Sequence, residues 1–168
     1  RLGAGGEIEE VHRLVDGDDA GGTAISGLAG ASHLALSPDG AYLYVTAAGS
    51  NSLLVFAIAA DGLHVVQKLT SGSNGVAGLQ GAAFVQVSGD GRFVYTAAVP
   101  GNANNSAIAL FRRDADTGEL SFVERIQDGL GTFQPHSNVI RGVHRLHLTA
   151  DGRHLYAVST VSQSLARF

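Results

Sequence analysis

The sequence predicts an all-β fold built from repeated four-stranded antiparallel sheets, and three observations carry that prediction. The chain of 168 residues holds three copies of one strand-and-turn plan. An Asp-Gly or related turn stands at the same place in every copy, and several strand candidates are apolar on both faces. No stretch shows the 3.6-residue periodicity of an amphipathic helix, and 23 glycines with scattered Val, Thr, Tyr and Phe favour short strands joined by tight turns.

The copies align from Ile8-Glu9-Glu10-Val11-His12-Arg13-Leu14 through Leu63-His64-Val65-Val66-Gln67-Lys68-Leu69 to Leu120-Ser121-Phe122-Val123-Glu124-Arg125-Ile126. The spacings, 55 and 57 residues, are too long and too strand-like for helical solenoid repeats. One domain over 1–168 therefore divides into repeats at about 8–62, 63–119 and 120–168.

Each repeat holds four strand candidates, which in the first are Glu9 to Leu14, Ala31 to Leu36, Tyr42 to Ala47 and Leu53 to Ile58. Between the second and third lies Ser37-Pro38-Asp39-Gly40, repeated as Ser88-Gly89-Asp90-Gly91 and Thr149-Ala150-Asp151-Gly152. Pro or a small residue comes first, Asp tolerates the bridge region, and Gly accepts positive φ. Asp61-Gly62 and Asp116-Thr117-Gly118 supply a second set of turns between repeats. Leu53-Leu54-Val55-Phe56-Ala57-Ile58 is apolar on both faces, so each sheet must be covered on both sides. Sheets packed face to face in this way are the blades of a β-propeller. A β-sandwich would not call for three copies with identical turn chemistry. Tyr44, Tyr95 and Tyr156 fall at equivalent positions, as do Phe56, Phe111 and Phe168, and all six are expected in the core.

Ser37-Pro38-Asp39-Gly40-Ala41-Tyr42-Leu43-Tyr44-Val45-Thr46 resembles the SPDG…YVTN repeat of lactonase-like propellers. Segments 16–31 and 113–120 resemble the variant found in tandem in large bacterial surface or secreted proteins. The resemblance implies a lactonase-type ring of seven blades, with His, Arg and Glu near a central channel if the chain is an enzyme. Gln134-Pro135-His136-Ser137 is similar to a Pro-His segment of that family, although here Asn138 to Val143 intervene before the strand.

A propeller needs four to eight blades, and three repeats make only part of one. The expected arrangement is a homodimer closing a six-bladed ring, or a chain continued by further blades. Methionine is absent, position 1 included, so the chain reads as a processed product or a piece of a longer protein.

Composition excludes several classes. A net charge of −4 with one lysine gives no basic surface for nucleic acid. No apolar run approaches the ~20 residues of a membrane helix, so no membrane insertion is expected. The absence of cysteine removes disulfides and thiol chemistry and leaves the compartment open. No cofactor motif is present, and no Gly-x-Ser-x-Gly elbow, phosphate loop or His-Glu-x-x-His occurs.

In a propeller the loops leading into each second strand and those joining third to fourth strands gather at one end. They carry Asp18, Asp19, Ser32, His33, Gln80, Gln134, His136, Asn138, Arg141, His144 and Arg145, with Asn51, Asn102, Asn104 and Asn105 beside them. His33, Asn51, Asn105 and Arg145 are the ligand-binding candidates, and His136, Arg141 and His144 the catalytic ones if an activity exists. His144 and His147 stand three apart, on opposite faces of a strand, with no carboxylate near in sequence, so no metal site is expected. Asp16-Gly17-Asp18-Asp19 lacks the ligand spacing of a calcium loop.

Because these groups do not converge in sequence, the expectation is a non-enzymatic module that binds a protein or glycan, within a larger bacterial protein at the cell surface or outside it. The alternative is a lactonase-like hydrolase, acting on a phosphogluconolactone or muconate lactone, whose site other blades complete.

Overall fold

The computed structural model describes residues 13–101, 103–129 and 139–168. Eleven strands among them form three antiparallel sheets. Sheet 1 runs β1 (Ala31–Leu36), β2 (Tyr42–Ala47), β3 (Ser52–Ala59) and β4 (Gly62–Thr70) in spatial order. Sheet 2 repeats this with β5 (Ala82–Val87), β6 (Phe93–Ala98), β7 (Ala107–Arg113) and β8 (Leu120–Gln127), a short 3-10 turn at Ala103–Asn105 preceding β7. Sheet 3 contains β9 (Val143–Leu148), β10 (Leu155–Ser159) and β11 (Ser164–Arg167). These are propeller blades, as expected from the repeats.

The fourth strand of each complete sheet comes from the start of the next sequence repeat: β4 begins at Gly62 and β8 at Leu120. Every blade is thereby stitched to its neighbour by the chain itself. The expected strand Glu9 to Leu14 lies largely outside the described residues. Sheet 3 has no fourth strand among the described residues, and a cleft of about 260 Å3 opens beside it, lined by Tyr95, Ile108, Ile126, Leu148, Leu155 and Phe168. Phe168 is consequently more than a third exposed and departs from the expectation that all six repeated aromatics are core. Its equivalents Phe56 and Phe111 are buried, as is Tyr44.

The repeated turns fold through their own side chains. Ser37 Oγ accepts the Tyr42 N–H at 2.9 Å while Asp39 Oδ1 accepts that of Ala41 at 2.9 Å. Ser88 and Asp90, then Thr149 and Asp151, repeat the pattern. Such local bonds fix the register of the hairpin before any sheet packs on it.

The core lies between the sheets. Tyr44, Leu53 and Val55 of sheet 1 meet Val85, Val94 and Phe111 of sheet 2. Phe84, Ala97 and Ile108 of sheet 2 meet Leu146, Leu148 and Leu155 of sheet 3. On the outer face of sheet 1, Ala20 and Ile25 from the preceding segment pack over Leu54 and Phe56.

Arg113 clamps the first two sheets together. Its buried guanidinium donates to Tyr44 Oη at 2.8 Å, to the Gly91 carbonyl at 3.2 Å and to Asp39 at 2.7 Å. Tyr44 in turn donates to the Gly118 carbonyl at 3.0 Å. The Ser37 hydroxyl, the Ala41 N–H and Arg113 together hold the Asp39 carboxyl down at about 2.

Candidate functional site

The first strand of each sheet lies innermost, and β1 packs against β5 as β5 packs against β9. Each of these strands bulges at its entry: the register skips one residue at Ser32, at Ala83 and at His144. A bulge in the lining strand re-aims the residues beside it. The position after the bulge is His33 in sheet 1, Phe84 in sheet 2 and Arg145 in sheet 3.

These three side chains, 51 and 61 residues apart in sequence, meet at the channel wall. The His33 and Phe84 rings lie 4.1 Å apart between centroids, tilted by 37°. The Arg145 guanidinium sits over the Phe84 ring at 5.6 Å from its centroid. Burial and the Arg145 charge hold the His33 imidazole below its usual range, with a backbone contact to Val85 pulling the other way. His33 is therefore neutral at pH 7, and its buried Nδ1 has no partner among the described residues.

The loops at this end gather as expected. Ala48 N–H bonds Gly30 O, Val99 N–H bonds Gly81 O, and Thr160 N–H bonds Gly142 O, each closing the entry loop of a sheet onto the hairpin between its second and third strands. Arg141 and His144 stand in this ring on sheet 3; Arg141 Nε and His144 Nδ1 are buried without partners among the described residues. Arg145 donates to the His144 carbonyl at 2.8 Å, which ties the two together. At this mouth, His33 Nδ1, Arg141 Nε and His144 Nδ1 thus keep spare hydrogen-bonding capacity among the described residues. Such a set polarises a carbonyl or holds an anion.

The other candidates separate from this cluster. Asn51 adopts a φ of 53° and its Oδ1 accepts the Gly81 N–H at 2.8 Å, so it works as a link between sheets. Asn105, exposed, accepts from Gln127 at 3.4 Å on the outer side of sheet 2. Gln80 lines a small groove beside it. Asp18 and Asp19 accept the N–H groups of Val15 and Gly22 and serve their own turn. Ser32 donates to the Ala82 carbonyl across the sheet gap at 3.0 Å. His136, Gln134, Asn138 and Asn102 lie outside the described residues. No group of three His, Asp or Glu placed to hold a metal occurs among the described residues, and no described helix is long and apolar enough to cross a membrane.

Sequence reading missed two residues. Phe84 appears in sequence as one more core aromatic, and only the register of β5 shows it between His33 and Arg145. Arg113 ends β7, and nothing in sequence points it at Asp39, 74 residues away.

Comparison with known proteins bears directly on this mouth. The family model for the lactonase seven-bladed β-propeller matches residues 4–75 and 24–133. A 6-phosphogluconolactonase of Bacillus subtilis (strain 168) is 29% identical over 119 residues, covering 68% of this chain and 33% of that protein. The periplasmic gluconolactonase PpgL of Pseudomonas aeruginosa superposes with a TM-score of 0.66 at 26% identity, over 87% of this chain and 37% of that one. A functionally unknown protein of Desulfotomaculum acetoxidans superposes over 100% of this chain and 45% of its own at 18% identity and a TM-score of 0.69, a likeness of fold alone. The chain thus spans about a third of the curated relative's length.

These relatives overturn the expectation of a non-enzymatic binding module, since they carry lactonase names. The physical reason for the misreading is convergence. The polar groups are scattered in sequence, and a propeller collects one or two from each inner strand. By its match over more than half its length, the chain belongs to the lactonase family of seven-bladed β-propellers.

Proposed function

We propose that this chain forms part of a lactone hydrolase acting on a sugar lactone, with 6-phosphogluconolactone as the first substrate to assay. The observation that carries this reading is the family match, together with relatives named as gluconolactonases. The mouth supplies compatible chemistry. Neutral His33 takes a proton from a water attacking the lactone carbonyl. Arg145, fixed by its stacking on Phe84 and its bond to the His144 carbonyl, donates to the oxyanion that develops. The ring carbon–oxygen bond then breaks, the imidazolium returns its proton to the leaving ring oxygen, and a hydroxy acid departs. His144 and Arg141 add donors for the substrate's hydroxyl or phosphate oxygens.

The test is hydrolysis of 6-phosphogluconolactone and of glucono-lactone, followed against the spontaneous rate, for the wild type and for Arg145→Met. Losing one oxyanion donor costs about 10²–10³ in kcat. A wild-type rate equal to the spontaneous one, or full turnover by Arg145→Met, overturns the assignment.

A further inference from the structure

Phe84 belongs to the core and to the channel mouth at once. Its side chain packs in the buried cluster between sheets 2 and 3 with Ala97, Ile108, Val143 and Leu146. Its ring also meets two polar groups from the flanking sheets, the His33 imidazole at 4.1 Å between centroids and the Arg145 guanidinium at 5.6 Å. All three residues follow the entry bulge of their own strand, so one backbone feature, used three times, brings them together.

The group that holds Arg145 decides what its charge can do. A carboxylate there would neutralise the guanidinium and, standing near His33, would favour the imidazolium. Arg145 makes no ion pair among the described residues. It donates to the neutral His144 carbonyl at 2.8 Å and lies over the Phe84 ring. An aromatic face attracts a cation through its quadrupole and leaves the net charge in place. That charge is felt next door: Arg145 is the one charged group among the described residues that bears on His33, and together with burial it holds the imidazole below its usual range. The other groups around His33 are neutral. Thr46 stands opposite it on β2 and donates to the His33 carbonyl at 3.3 Å, and the contact from β5 is with the Val85 backbone.

We propose that Phe84 is a positioning residue for the lactone chemistry: anchored in the core, it holds Arg145 beside His33 without a counter-charge, so that a neutral imidazole and an uncompensated guanidinium stand side by side. The catalytic consequence rests on the lactonase reading; the placement itself does not. A leucine at this position would fill much of the same core space and seat neither neighbour.

The test is a proton NMR titration of the histidine ring C2 protons in the full 168-residue chain, the His33 signal being assigned by its loss in His33→Gln. In the wild type His33 is expected to titrate below the usual histidine value of ~6.5. Arg145 is exposed, so Arg145→Met should keep the wild-type circular dichroism and move the His33 midpoint upward. Phe84→Leu should move it upward as well, because the ring that covers the imidazole and the seat of the guanidinium are lost together. A Phe84 that serves packing alone predicts a lower Tm with His33 unmoved. Nuclear Overhauser contacts from the Phe84 ring to the His33 C2 proton and to the Arg145 Cδ protons are expected in the wild type and decide the matter should Phe84→Leu not fold. His33 unmoved in either folded variant, or the absence of those contacts, overturns the proposal. With 6-phosphogluconolactone as substrate, the acid limb of kcat/KM against pH should follow the NMR midpoint upward in Phe84→Leu, and a limb that stays put overturns the link to catalysis. A wild type without turnover refutes the lactonase reading and leaves the titration to decide the placement.

Discussion

Replacing Arg113 by Met removes the clamp between the first two sheets while keeping an unbranched stem over the Tyr42 ring, 5.2 Å from the guanidinium. Two of the three lost hydrogen bonds, to Tyr44 Oη and the Gly91 carbonyl, are buried. Bonds to a charged group contribute about 1.5–3 kcal/mol each. The third reaches the half-exposed Asp39 carboxylate and, screened by solvent, is worth less than about 1 kcal/mol. Against these stands the desolvation of a buried guanidinium, several kcal/mol, which the substitution recovers. Tyr44 also keeps its bond to the Gly118 carbonyl. The net loss is about 2 kcal/mol, a fall in Tm of about 4–8 °C for a chain of this size. Urea and thermal unfolding at pH 7 measure it. The pH dependence gives a second readout. The folded Asp39 carboxyl is held at about 2 by Ser37, Ala41 and Arg113 in that order. A depressed carboxyl stabilises fully above its unfolded value near 3.9 and loses that contribution as pH falls toward 2. In Arg113→Met the Ser37 and Ala41 bonds remain, so the pKa rises only part of the way. The gap between wild type and variant should narrow as pH drops from about 4 to 2. A stability loss below about 0.5 kcal/mol, or a gap unchanged down to pH 2, would refute the clamp.

Phe111→Ala should cost about 3–5 kcal/mol, because Phe111 is fully buried between sheets 1 and 2 and stacks edge-on against Phe122 at 5.7 Å; chemical denaturation reads this directly. Gly81→Ala should destabilise by more than about 2 kcal/mol, since a Cβ there would stand 2.2 Å from the Val99 carbonyl oxygen at a φ of 71°. Gly40→Ala, at the same φ with open space around it, provides the control: it should lose only the cost of a left-handed alanine, about 1 kcal/mol, and an equal loss at both sites would show that the Val99 contact is immaterial.

The blades were legible in sequence because turn and strand are local. Ser37 and Asp39 bond within five residues of themselves, so a Ser or Thr two residues before Asp-Gly announces the same hairpin three times. Sheet membership was less legible: β4 and β8 head a sequence repeat yet close the preceding sheet, joined to β3 and β7 by short hairpins, because the repeat as aligned in sequence begins one strand before the sheet does. Arg113 is hidden because its partners Tyr44 and Asp39 lie in another repeat. Among the candidate site residues, His33, His144 and Arg145 stand out in sequence because they depart from the Gly, Ser and Asn of their loops. Asn51 drew the same reading, and its left-handed link to Gly81 is not visible in sequence because such a link and a ligand donor favour the same residue type.

An internally repeated protein supplies its own comparison of scaffold with site, and that comparison separates the two here. Positions that serve the fold keep their chemistry from sheet to sheet: Leu53, Ile108 and Leu165; Ser37, Ser88 and Thr149; Gly30, Gly81 and Gly142. Positions at the channel mouth do not. The bulged residue is Ser32, then Ala83, then His144, the next is His33, Phe84 and Arg145, and the residue before the repeated glycine is Ala29, Gln80 and Arg141. Packing demands would hold these places as uniform as their neighbours, since each faces the same kind of sheet gap. Their divergence instead concentrates imidazole and guanidinium on sheet 3 and one histidine on sheet 1, with an aromatic wall between. The proposed lactone hydrolysis would use that asymmetry, with a donor set on one side of the scissile carbon and a proton acceptor on the other. It follows that exchanging His33 and Arg145, which leaves composition and charge untouched, should preserve the fold and abolish turnover.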